Sequence, residues 1–246
     1  MRSFLIRGML AGLCAGLVAF GFAKLTGESA VDRAIAFEDQ QLEANGQKPE
    51  PDMVSRTVQS TLGLATGLLA TGVALGGFFA IAFAFAYGRL GRLDVKATAL
   101  AVAGLGFVAV HLMPFLKYPA NPPAVGHADT LNYRTELYFF MIAVSIASMV
   151  LAVDVARRLV HRHGTWNATL AGAGAYLAVM TFAIVALPVI DEVPDGFPAS
   201  ALWQFRISAL GIQATLWTTI GLVFGALMQR SASRSARRQS SVSTAT

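Results

Sequence analysis

The sequence predicts an all-α, polytopic transmembrane helical bundle of six spans with both termini in the cytoplasm, and three observations predict it. Of the 246 residues 55% are apolar and only 13% charged, about half the charge of an ordinary globular chain. The apolar residues stand in blocks far longer than a strand or a one-faced helix needs. Basic and acidic residues also alternate from one connection to the next, as they do when Lys and Arg gather on one side of a bilayer.

Crossing roughly 30 Å of hydrocarbon takes about 20 mainly apolar residues. Six stretches meet that test, at about residues 7–23, 58–87, 97–116, 136–156, 168–190 and 201–228. Backbone cannot stay unpaired in lipid, so each is a helix. Together they make one transmembrane domain over residues 1–230, with an outer loop at 24–55 and a tail at 231–246. The tail is rich in Ser and Arg and poor in apolar residues, so a disordered cytoplasmic segment is expected.

With both termini inside, the cytoplasmic face holds 12 of the 19 basic residues: Arg2, Arg7, Arg89, Arg92, Lys96, Arg157, Arg158, Arg162, Arg230, Arg234, Arg237 and Arg238. The other face collects 12 of the 14 acidic residues, leaving only Asp94 and Asp154 inside. This explains a pI near 9.7 without nucleic acid, since no basic and aromatic surface appears that could track phosphates.

The first stretch carries two readings. Arg2, Arg7, the apolar run and Gly21-Phe22-Ala23 resemble a cleavable signal peptide, which would leave five spans. Gly8, Gly12 and Gly16 recur every fourth residue, which instead suits a retained helix that another helix approaches closely. Cys14, the single cysteine, falls in this block, so neither a disulfide pair nor a thiolate cluster exists.

The long outer loop predicts one helix, with Ser29 and Asp32 spaced as a capping box and Val31, Ile35 and Leu42 as an apolar stripe. It should stop at Asn45-Gly46, and Lys48-Pro49-Glu50-Pro51 reads as irregular chain. An amphipathic helix on the outer surface is the plain reading, a lid over an entrance the sharper one. The third span ends in Met113-Pro114 and runs into Lys117-Tyr118-Pro119-Ala120-Asn121-Pro122-Pro123, whose prolines predict a rigid outer turn.

Polar groups inside a bilayer are costly and few. His111 lies six residues before Lys117, roughly 9 Å below the helix end. Imidazole suits cobalt, nickel, copper and zinc, whereas the thioether of Met113 favours softer ions. The two share a face only if the helix is distorted near Pro114. A histidine hydrogen-bonded to a neighbouring helix is the plain alternative. Asp191 and Glu192 offer oxygen ligands at the same level, or else form a solvated acidic loop. Arg206 and Gln213 lie seven residues apart on one helical face, and a counter-ion for Asp191, Glu192 or Glu136 is the expected role of Arg206. His127 and Asp129 form a weak His-x-Asp pair, and His161 and His163 read as interfacial residues among arginines.

Enzymatic signatures are absent: no His-Glu-x-x-His, no Gly-x-Ser-x-Gly and no phosphate-binding loop. The expectation is a protein that is not an enzyme, with no ATPase of its own and no permanently bound cofactor.

Several stretches in order carry a family resemblance: 31–38 (VDRAIAFE), 55–63 (SRTVQSTLG), 85–89 (FAYGR), 114–126 (PFLKYPANPPAVG), Trp166-Asn167, Glu192-Val193-Pro194 and 202–206 (LWQFR). From Phe4 to about Arg230 the chain resembles the CbtA family of bacterial membrane proteins, the predicted cobalt transporter subunit. The resemblance implies cobalt as the transported ion, import for cobalamin synthesis, and a small single-span partner, CbtB, that bears histidines. It implies a bacterial inner-membrane location. The family is often described with five spans, against the six counted here. The residues themselves add an entrance built from His111, Met113, Asp191 and Glu192, with Arg206, Gln213 and Glu136 as the polar path. The expected partners are the bilayer, the CbtB-like protein and further copies of the chain. A scaffold that docks the permeating subunits is the rival reading; an intramembrane enzyme or small-molecule carrier is a third.

Overall fold

A computed structural model describes residues 1–47, 54–91 and 93–243, with side chains described through Ser231. Lys48-Pro49-Glu50-Pro51 and Arg92 lie outside the described residues, as do 244–246. Where a disordered tail was expected the backbone is helical through Ser243, and the side chains beyond Ser231 lie outside the description.

Among the described residues the fold is helical and no strand occurs. The helices are α1 (Arg2–Thr26), α2 (Glu28–Ala44), α3 (Arg56–Ala86), α4 (Val95–Lys117), α5 and α6 within Leu131–Ala186, and α7 (Ala199–Ser243). Among the described residues five helical runs are long and apolar enough to cross a membrane. The fourth of these holds two spans, because Gly164 at φ 73, ψ 166 breaks it. That conformation is open to glycine and strained for other residues, and it separates α5, residues 131–163, from α6, residues 165–186. Six spans result.

The boundaries differ from expectation in two informative places. The fifth span was expected to reach Ile190, yet α6 ends at Ala186 and Leu187 turns extended, ψ 149. The residue before a proline is driven out of the α region, and Pro188 follows. Asp191 and Glu192 are therefore loop residues. The capping box at Ser29 and Asp32 is not formed: α2 begins at Glu28 after Gly27, which is itself in the α region and makes no side-chain cap. Capping needs an extended residue at that position, and Ser29 already lies inside the helix. The third span, expected to run to Leu116, reaches Lys117. A π-helical stretch over Phe107–Leu112 lies just before Pro114, and its wider turn makes room for a ring that would clash with the preceding turn of a regular helix. The expected stop of α2 at Asn45-Gly46 is present, with Gly46 at φ 69.

The chain divides into two compact units. The first comprises Met1–Lys24, Met53–Gly106 and Gly211–Thr246. Here the glycine stripe of α1 meets a matching stripe on α3: a Cβ added at Gly12 would strike the carbonyl oxygen of Gly72, one at Gly8 that of Gly76, and one at Gly16 would lie 2.7 Å from that of Leu68. Side chains are excluded so that backbones touch. Arg7 ties α1 to α7 by donating to Met228 Sδ at 3.2 Å and Ser231 Oγ at 2.7 Å. The first span is thus packed as a bundle helix. Phe79, Phe83 and Phe224 fill the centre, with Phe224 edge-on to both partners at 5.1 and 4.8 Å between centroids.

The second unit comprises Leu25–Asp52 and Phe107–Leu210. Its α5–α6 hairpin closes on Gly172, whose added Cβ would lie 2.7 Å from the Ala152 carbonyl oxygen. Met141, Met180 and Tyr176 are buried in this cluster. The Tyr176 hydroxyl and Ser145 Oγ share a hydrogen bond of 2.7 Å, which satisfies both buried groups. Helix α2 packs through Ala34 onto Val125, Phe197 and Ala201, with Phe37 edge-on to Phe197 at 5.0 Å.

Candidate functional site

The end of the second unit reached by Lys117, Leu131, Ala186 and Ala199 is closed by irregular chain, residues 118–130 and 187–198, and by α2. Such chain leaves carbonyl groups that no helix satisfies. Side chains answer them. Lys117 Nζ donates to the Leu187 carbonyl at 2.9 Å and the Tyr118 hydroxyl to that of Pro188 at 3.0 Å. Burial, with the neighbouring Tyr133 second, pushes the Tyr118 phenol up, so it stays a neutral donor. Arg206 reaches from α7 to the Ala120 carbonyl at 3.4 Å and Asn121 Oδ1 at 3.0 Å. Gln204 donates to Ser29 Oγ at 2.8 Å and also accepts from Arg33, while Ser208 Oγ donates to the Thr26 carbonyl at 2.8 Å. Ala124, at φ 65, is held in a conformation unusual for a residue with a side chain.

Glu192 joins the two irregular segments. Its Oε2 accepts from the His127 backbone N–H at 2.9 Å and lies 3.4 Å from Arg134 Nη1, with the two side chains exposed by only 11% and 22%. Arg134 Nη2 also donates to the His127 carbonyl at 3.1 Å. The His127 N–H above all, then Thr130, and more weakly Arg134, hold the Glu192 carboxyl below its ordinary range against the effect of partial burial.

His111 sits apart from this network, on the π-helical stretch of α4. It is 9% exposed, and its ring lies between Phe107 and Phe115, at 6.0 and 5.3 Å between centroids. Its Nε2 is buried and makes no hydrogen bond. The plain alternative, an imidazole bonded through that nitrogen to a neighbouring helix, is not what the structure holds. An unpaired buried nitrogen carries an unrecovered desolvation cost.

The remaining candidates scatter. Met113 packs into the apolar cluster of Met141 and Met180, not on the His111 face. Asp191 is exposed and interacts electrostatically with Arg206. Glu136 is exposed on α5, and the contacts of Arg206 go to a carbonyl and an amide instead. Gln213 is half-buried in the first unit. Among the described residues no three of His, Cys, Asp and Glu converge on one point, so what the arrangement offers a cation is single donors. Sequence reading missed Lys117, Tyr118, Asn121 and Arg134, whose partners lie up to 85 positions away. It also looked to the His127 ring, where the structure uses the backbone N–H.

Six helical spans, with irregular chain at one end of the second unit stapled by side chains, define a polytopic membrane protein. The comparison with known families gives the particular one. The family described as "Probable cobalt transporter subunit (CbtA)" matches residues 1–229, and the chain belongs to it. No curated protein and no solved structure matches.

Proposed function

We propose that the chain is the membrane subunit of a cobalt uptake transporter serving cobalamin synthesis in the bacterial inner membrane, working with a small CbtB-like partner. Family membership supports the metal. The observation that carries the residue assignment is His111, a buried imidazole whose Nε2 has no partner. Neutral imidazole is a good ligand for cobalt and its neighbours among divalent ions. A passing ion that exchanged a water for this nitrogen would repay the desolvation the nitrogen already bears.

In this reading both termini are cytoplasmic and the stapled closure faces outward, as the distribution of Lys and Arg supports. Asp191, exposed beside Arg206, draws the cation toward the closure. Glu192 and Arg206 hold its walls. Met113 contributes packing. Cobalt is cargo, taken from water and returned to it, which suits single donors better than a closed cage.

The scaffold reading makes a different forecast. Cells expressing the chain alone, the CbtB-like partner alone, or both, are compared for accumulated cobalt. Accumulation that requires this chain, and that persists at a reduced level without the partner, supports a permeating subunit. Full accumulation with the partner alone assigns permeation elsewhere.

A further inference from the structure

The α5–α6 turn has no part in the reading above, and its surface is unusual. Residues 161–167 are all exposed, and so are Arg157 and Arg158. Trp166 is 75% exposed. A Cβ built at Gly164 would meet nothing within 4 Å, so the turn stands in open space. We propose that this turn, through Arg157, Arg162, His161 and Trp166, binds the headgroup of an anionic phospholipid.

Length places the turn at headgroup depth. The apolar stretch of α5 runs from about Leu137 to Val155, with Asp154 its one charge, and roughly 20 residues cross the hydrocarbon. At 1.5 Å per residue Arg157 and Arg158 lie about 3–5 Å beyond Val155, inside a headgroup layer of about 5–8 Å, and Arg162 stands at the aqueous edge of that layer. Tryptophan prefers this boundary, where its ring is half in lipid and its N–H in water.

Charge supplies the second reason. Arg157 and His161 are four residues apart, as are Arg158 and Arg162, so basic groups stack on successive turns. Like charges at that spacing destabilise a helix. Asp154 relieves one of them, pairing with Arg158 at 2.7 Å. Among the described residues Arg157 and Arg162 have no carboxylate partner. A phosphodiester bearing net negative charge fits the vacancy, since guanidinium groups take phosphate oxygens in a two-pronged fashion. Favourable interaction of the arginines with the helix C-terminus accounts for their tolerance but not for the exposed ring beside them.

The test is lipid retention. The intact protein is reconstituted in vesicles of equal phosphatidylglycerol and phosphatidylcholine, extracted in mild detergent, and its co-purifying lipid is identified by native mass spectrometry. Enrichment of phosphatidylglycerol is expected, falling roughly fivefold for each of Arg157→Gln and Arg162→Gln, with less change for Arg158→Gln. High salt should release it. Equal retention of the two lipids by the unaltered protein overturns the proposal, and so does an enrichment that both glutamine variants keep. Should a variant fail to fold, the lipid preference of the unaltered protein and its salt dependence decide the matter.

Discussion

The two compact units are held together by opposite means. In the first, helices touch because side chains are missing: Gly8, Gly12 and Gly16 lie against Gly72, Gly76 and Leu68 with backbone on backbone. In the second, irregular chain is held because side chains are long: Lys117, Arg134, Arg206 and Gln204 reach across to carbonyls, an amide, a hydroxyl and a carboxylate. Helices satisfy their own backbone and need only fit one another. Chain that leaves the helix must borrow donors. Every candidate for cation handling except Gln213 belongs to the second unit.

That contrast can be broken in the first unit with one added side chain. Gly12→Leu should force α1 off α3 and cost at least about 3 kcal/mol, lowering the melting temperature in detergent or abolishing recovery of folded protein. Gly21→Leu on the same helix, where an added Cβ meets nothing within 4 Å, should leave melting unchanged. Equal effects of the two would refute the backbone contact.

A middle-sized effect is expected from Arg206→Ala, which removes charge-assisted bonds to Ala120 and Asn121. About 2 kcal/mol should be lost, and trypsin should cut faster after Lys117 as the 118–123 segment loosens. Melting that falls without faster cleavage would place the role of Arg206 elsewhere.

The smallest effect belongs to Glu192. Its carboxyl is held below the ordinary range in the folded protein, so the stability it adds is complete at and above that range. It is lost as pH falls through the depressed folded value. Glu192→Gln should therefore melt below the unaltered protein at pH 7, and the two should converge in acid. A gap that widens in acid would reverse the assignment.

Six spans were legible because an apolar run of about 20 residues is a one-dimensional signal. The glycine stripe on α1 was legible for the same reason, being a local period, though its partner stripe at Gly72 and Gly76 was not named by it. Helix ends were readable where chemistry is local, as at Asn45-Gly46. They failed where the neighbour on the other side decides: Gly27 continues helically from α1, so Ser29 cannot cap. The site was less legible still. His111 stood out as an ionisable group in an apolar span, and burial without a partner at Nε2 is the property that spacing cannot give. Arg206 was expected to find a carboxylate, yet the proline-rich segment 118–123 offered unsatisfied carbonyls closer by. Such pairings are set by the folded chain.

The most direct test of the central claim is cobalt uptake into proteoliposomes holding the protein together with the CbtB-like partner proposed for it, compared with His111→Ala and with His111→Gln, each checked for unchanged melting. At 1.4 kcal/mol for each factor of ten, loss of one ligand contact of about that size should slow uptake roughly tenfold in both variants. Uptake at the unaltered rate with His111→Ala would contradict the account and remove His111 from the path of the ion.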